Sequence, residues 1–284
     1  MRFEKWQALG NDYVIVEHDE LPWELTPTRI RHICEPHLGV GSDGILLLSP
    51  TSEPSHVAEL RIFNPDGSEA ELSGNGAREA VLYLRSHGWT DDETFTILTK
   101  AGEATATITG PGTASMAIGR AALRSGDYAG GPEDGTGTVS FAGREWGFQH
   151  VNVGNPQCAI EVDEGLEELS LDEIGPGIEG NTELFPNRTN VSFWRADGST
   201  VRARIFERGV GETLSSGTGA SGAAVAAHLR GAASPITVSL DGGELTVEIG
   251  DELDLTLTGG ASPVYAGELS PEMVRALGAA ATSR

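Results

Sequence analysis

FNPDGSEAELSGNGAREAV, Phe63 to Val81, returns later in the chain as FERGVGETLSSGTGASGAA, Phe206 to Ala224. One constant offset superimposes the two stretches without a gap. Phe63 meets Phe206, Glu69 meets Glu212, Ser73 meets Ser216, Gly74 meets Gly217, Gly76 meets Gly219 and Ala77 meets Ala220. A second landmark repeats at nearly the same offset, LGNDY (Leu9–Tyr13) against VGNPQ (Val153–Gln157). Two landmarks in the same order mark an internal duplication. A period of half the chain is too long for a solenoid and predicts two like domains about a pseudo-twofold axis. Each copy reads as a loop entering a helix, because Gly-x-Gly permits a tight turn and close approach and Ala-rich stretches follow (Ala77–Arg85, Ala220–Arg230). Ser73 and Ser216 then stand where helix N-termini open. Free N–H groups and the positive dipole end make such places anion sites. Serine as a plain N-cap and glycine as a plain turn residue are the structural alternative.

The chain has 284 residues, enough for two medium domains. Its net charge is −23, with Lys5 and Lys100 the only lysines and no basic stripe, which argues against nucleic-acid binding. Two cysteines, Cys34 and Cys158, are too few for a disulfide scaffold and fit a reducing compartment. The start, MRFEKWQALGNDY, lacks the apolar core of a signal peptide, and no apolar run reaches membrane-spanning length. These readings predict a soluble cytoplasmic protein without membrane partners.

Taken in order, Phe3–Trp6 and Tyr13–Glu17 read as strands with a turn at Gly10-Asn11-Asp12. Thr26–Cys34 reads as a helix with Thr26 as N-cap and Pro27 at its first position. Strands are expected at ILLL after GVGSDG, at Ala58–Phe63, Thr94–Thr99, Glu103–Ile108 and Thr113–Ile118. Ser125–Gly137, rich in Gly, Asp and Pro, reads as a loop or boundary region. Further strands are expected at Trp146–Val153, Thr189–Arg195, Val201–Phe206, Ile236–Leu240, Glu244–Ile249, Glu252–Thr258 and Pro263–Glu268, with a terminal helix at 271–280. Asn155-Pro156 marks a turn, and acidic Leu166–Ile174 reads as a solvated face rather than a metal site. The expected class is α+β, two pseudo-symmetric halves, each a curled, mostly antiparallel sheet around a central helix.

FNPDGSEAELSGNGAR, ERGVGETLSSGTGA, LGNDY, GNPQC and FPNRTN (Phe185–Asn190) together resemble the diaminopimelate epimerase family, in order and spacing, over nearly the whole chain. The resemblance implies a first half of 1–119 to which 263–284 return, a second half of 120–262, and an active site in the cleft between them. It implies a cofactor-independent, metal-free inversion of the α-carbon of LL-diaminopimelate to the meso form, for lysine and cell-wall synthesis. Two groups on opposite faces exchange the α-proton. Gly74, Asn75, Gly217 and Thr218 match the clamp on the α-carboxylate. Asn11, Asn64, Asn155, Asn190, Glu207 and Arg208 match residues that read the substrate's other polar groups. Arg208 suits a two-pronged bond to the distal carboxylate. Members of that family often form homodimers, and no stretch of this sequence marks an interface.

The departures fall on the chemistry. Serine, at Ser73 and Ser216, stands where the family has its two catalytic cysteines, and Gln157 stands where it has a site histidine. Glu79 and Ser221 replace cysteines often found there, while Glu207 remains beside the second catalytic position. A thiol titrates near about 8.5 and an alkyl hydroxyl near about 15.7, so preforming the alkoxide costs at most about 10 kcal/mol more. Glu207 acting through Ser216 reduces that cost. Ser73 has no evident base, since glutamine takes no proton. The binding set therefore implies diaminopimelate, and the proton-transfer groups imply weak or altered activity. Two other readings stay open: a same-fold isomerase or dehydratase on another amino acid, and a non-catalytic amino-acid binder. Cys158 matches a structural position of the family.

Overall fold

The apolar run Tyr13-Val14-Ile15-Val16 has no polar face because its strand is covered on both sides. Tyr13 and Ile15 enter one cluster with Leu46, Leu48, Leu60 and Ile62. Val14 and Val16 enter another with Ile45, Leu47, Ile30 and Ile33. Side chains alternate across a strand, so a sheet sandwiched between helices needs apolar residues at every position.

The computed structural model describes residues 1–71, 73–197 and 199–279. Among the described residues five α-helices punctuate a succession made mostly of strands: α1 (Pro27–Cys34), α2 (Gly74–Ser86), α3 (Leu171–Glu179), α4 (Gly217–Leu229) and α5 (Pro271–Ala279). Ala280, the expected end of the last helix, lies outside the described residues. The chain divides into two compact units, Met1–Met116 with the segment returning from Gly259, and Ala117–Thr258.

In the first unit, α2 lays Ala77, Ala80, Val81 and Leu84 on one face of the sheet, against Trp6, Ile15, Leu46 and Leu60. Each such buried leucine or isoleucine contributes about 1.5–3 kcal/mol. The other face carries α1 and α5. Thr26 Oγ1 accepts from Arg29 N and caps α1, with Pro27 in its first turn. The buried Arg29 ties the two helices, donating from Nε to Leu277 O at 2.9 Å and from Nη1 to Glu24 O at 2.7 Å.

The second unit repeats the first one's strand pairings. Antiparallel Arg2–Ala8/Asn11–Glu17, then parallel pairing to Ile45–Ser49, then antiparallel pairing to Glu59–Phe63, is the succession in the first. Arg144–Asn152/Pro156–Glu161, Asn190–Asp197 and Thr200–Glu207 follow it in the second. In each, the last of these strands pairs antiparallel with a short strand just before the serine (Glu69–Ala70; Gly211–Thr213). Helix α4 is apolar all round and buried from Gly219 to Ala227, as a helix with no wet face must be. On the opposite side Phe148, Phe185, Phe193 and Phe206 pack with Leu171 and Ile178 of α3.

Several elements differ from expectation. The first hairpin turns at Leu9 and Gly10, both with positive φ (57° and 89°), and Asn11 already lies in the strand. A two-residue turn of that hand follows the twist of its strands. The strands Thr136–Phe141 and Pro156–Glu161 and the helix α3 were not foreseen. Helix α3 contains Gly175-Pro176-Gly177, which reads as a breaker. Packing outweighs propensity here: a Cβ on Gly175 would stand 2.5 Å from the Phe206 ring, and one on Gly177 1.9 Å from Phe141 Cε2. Ser125–Gly137 lies inside the second unit, with a turn of 3-10 helix (Gly126–Tyr128) capped by Ser125 and a buried Tyr128.

Candidate active site

Each unit begins its central helix with the same device. Ser73 (φ −133°, ψ 121°) and Ser216 (φ −145°, ψ 120°) are extended N-caps. Their Oγ atoms accept from Gly76 N at 3.1 Å and Gly219 N at 3.2 Å. Gly74 and Gly217 lie in the first helical turn and have no positive φ, so they form no tight turn of their own. A Cβ on Gly74 would meet nothing nearer than Arg78 Nη1 at 4.0 Å, whereas one on Gly219 would meet Ile205 Cγ2 at 2.8 Å. Gly219 is thus required by packing, and Gly74 is not.

In the first unit the structure brings Asn11 and Asn75 together at the mouth of α2. Asn75 Nδ2 donates to Asn11 Oδ1 at 3.2 Å, and Asn11 Nδ2 donates to Asp43 Oδ2 at 2.8 Å. Arg78 holds this end, donating to Asn75 Oδ1 at 2.6 Å and to Gly74 O at 3.2 Å. Burial lowers the Arg78 guanidinium to about 10. Asn64 is placed differently: it opens the Asn64–Gly67 turn and donates to Ser68 Oγ at 2.9 Å. Tyr13, absent from the expected site, donates its hydroxyl to Ser73 Oγ at 3.2 Å. The signal was present in LGNDY. Strand alternation places Tyr13 on the α2 face, beside the residues that open that helix.

In the second unit Ser216 Oγ donates to Glu207 Oε2 at 3.0 Å, and Thr213 Oγ1 donates to Glu207 Oε1 at 2.9 Å. Burial raises Glu207 above the usual carboxylate range, opposed by the two hydroxyl bonds. Asn155 Nδ2 reaches Thr218 Oγ1 at 3.3 Å, and Gln157 Nε2 reaches Asn155 Oδ1 at 2.7 Å and Thr218 Oγ1 at 3.2 Å. Asn190 is buried, donates to Pro156 O at 3.2 Å and accepts from Arg208 N at 2.8 Å. Arg208 is exposed, and its Nη1 donates to Asn187 O at 2.6 Å.

The two serines therefore differ in their partners. The duplication equates Tyr13 with Gln157 and Asn64 with Glu207. At each equated pair one residue can exchange a proton and bonds its serine, and the other is an amide.

Neither cysteine offers a thiolate. Cys34 and Cys158 are buried, and burial pushes both thiols up. Among the described residues no cluster of three or more His, Cys, Asp or Glu could hold a metal ion, and no helix is long and apolar enough to cross a membrane.

A duplicated α+β fold with a serine at the N-terminus of each central helix is the frame of the molecule, and solved structures share that fold. A PhzF-family phenazine biosynthesis protein of Bacillus anthracis matches it with a TM-score of 0.67 at 19% identity, over 95% of this chain and 99% of that one. A hydroxyproline epimerase of Agrobacterium vitis matches at 0.65 and 16% identity, over 96% and 94%. These likenesses show the fold. The diaminopimelate epimerase family model matches residues 3–123 and 149–264. Diaminopimelate epimerase 2 of Nostoc sp. is 39% identical over 96% of this chain and 97% of that protein, and the diaminopimelate epimerase of Synechococcus sp. is 38% identical over 94% and 97%. The chain belongs to the diaminopimelate epimerase family. It is an isomerase by that membership, with serine at both positions that precede the central helices.

Proposed function

We propose that this protein interconverts LL- and meso-diaminopimelate, moving the α-proton through serine hydroxyls in place of thiols. The observation that carries the reading is the Ser216–Glu207 bond, a hydroxyl held by a carboxylate whose proton affinity burial has raised. In this reading Glu207 accepts a proton as Ser216 Oγ removes one from the α-carbon, so no free alkoxide forms. In this reading Ser73 carries the second proton transfer.

Helices α2 and α4 supply N–H groups and positive dipole ends to the α-carboxylate, at Gly74, Asn75, Gly217 and Thr218. As the α-proton leaves, charge spreads onto that carboxylate, so these donors favour the transition state over the substrate. Asn11, Asn64, Asn155, Asn190 and Arg208 are assigned to the remaining polar groups, with Arg208 on the distal carboxylate.

Chiral chromatography of LL-diaminopimelate incubated with the wild type and with Glu207→Gln tests the reading. The wild type yields the meso form, and the variant is slower by about 10²–10⁴-fold. A wild type that leaves the LL form untouched at high enzyme concentration contradicts it. A one-base reaction on another amino acid is the second reading, favoured by the single carboxylate among the equated positions 64 and 207. Loss of water from β-hydroxy amino acids would reveal it.

A further inference from the structure

We infer that Tyr13 is the proton-relay and positioning residue of Ser73, so that the enzyme rests with an acid pair, Tyr13–Ser73, and a base pair, Ser216–Glu207. The inference rests on the proposed epimerisation. Ser73 Oγ accepts from Gly76 N at 3.1 Å and from the Tyr13 hydroxyl at 3.2 Å. A hydroxyl has two lone pairs and one hydrogen. With both lone pairs engaged, the Ser73 hydrogen is left to donate to a third group. Ser216 is set the other way: its hydrogen is committed to Glu207 Oε2. One serine is arranged to give a proton and the other to take one.

The Tyr13 ring is held for this. It is buried, at 5% exposure. A Cβ on Gly44 would stand 2.7 Å from Tyr13 Cε1 and 3.0 Å from Cδ1, so the ring lies against a backbone that only glycine leaves open.

The step balances. The electron pair on the α-carbon takes the Ser73 hydrogen, forming C–H as the serine O–H breaks. The Tyr13 O–H breaks in turn, and its proton restores the Ser73 hydroxyl. The negative charge ends on a phenolate, which titrates near about 10, rather than on an alkoxide near about 15.7. The proton taken from substrate stays on Ser216 Oγ, and the hydrogen that Ser216 held resides on Glu207 Oε2. The reverse reaction runs the same transfers backwards, and solvent resets both groups.

The test is the rate of inversion of LL-diaminopimelate against pH, for the wild type, Tyr13→Phe, and protein carrying 3,5-difluorotyrosine in place of Tyr13. The phenylalanine variant keeps the ring in its slot and loses the relay proton, so inversion falls at least about 100-fold. Ring fluorination acidifies the phenol and moves the alkaline limb to lower pH, a shift that a purely structural ring would not cause. Inversion by Tyr13→Phe within about threefold of wild type, or an unmoved alkaline limb in the fluorinated protein, overturns the inference and leaves the epimerase reading standing. A wild type that inverts nothing overturns both.

Discussion

Ser216 donates to Glu207 across 3.0 Å, and burial raises that carboxyl above its ordinary range. Glu207 acts as a base only when ionised. Activity is therefore lost as pH falls through its raised pKa, so the acid limb of kcat/KM lies above the range of a free glutamate. Glu207→Gln removes the limb together with about 10²–10⁴ of the rate. A pH profile of both proteins checks this.

Exchanging the serines for thiols lowers the proton-transfer barrier. A thiol near about 8.5 ionises far more readily than a hydroxyl near about 15.7. Ser73→Cys/Ser216→Cys should invert diaminopimelate at least about tenfold faster than wild type, because Glu207 already stands beside position 216. Steady-state kinetics on the double variant checks the direction. A slower double variant shows that the site has been refitted to hydroxyls.

Glu79 is fully buried in α2, and its carboxyl is pushed up to about 9, first by burial and then by the charges of Asp12 and Asp43. An unfolded glutamate titrates at about 4.3, so the folded protein binds the extra proton between these limits. Stability therefore falls as pH rises from about 4.3 to about 9 and levels off above. Glu79→Gln removes the slope. It stabilises the fold by up to about 4 kcal/mol near pH 7.5 and by little near pH 4.5. Urea unfolding at several pH values measures the difference.

Gly177→Ala puts two effects in opposition. Alanine gains about 1 kcal/mol over glycine inside a helix. The new Cβ would stand 1.9 Å from Phe141, and overpacking of this kind costs about 1–3 kcal/mol. Phe141 packs against the cluster under α3, and displacing its ring gives up that contact, so net destabilisation is expected in a urea or thermal unfolding curve.

Helix α3 shows where the sequence stops being legible. Gly-Pro-Gly argues locally against a helix, and only the rings of Phe141 and Phe206, distant in sequence, explain why those glycines stand there. The runs YVIV and ILLL, by contrast, announced strands, and the structure covers both of their faces. The duplicated serine stretch announced two capped helices, because a cap and its alanine-rich continuation are local properties. The Ser216–Glu207 pairing was implied by the resemblance. The Tyr13–Ser73 bond did not, since it joins a strand to a helix start sixty residues later through the pleat. The same limit hid the amide partners of Thr218, which come from Asn155 and Gln157.

Whether serine hydroxyls carry the α-proton of diaminopimelate is decided by proton NMR of the wild type with LL-diaminopimelate in heavy water. Inversion to the meso form with one solvent deuteron at the inverted α-carbon is expected, both abolished in Ser216→Ala. An α-proton that stays in place with wild type, but exchanges once cysteines occupy positions 73 and 216, would contradict it.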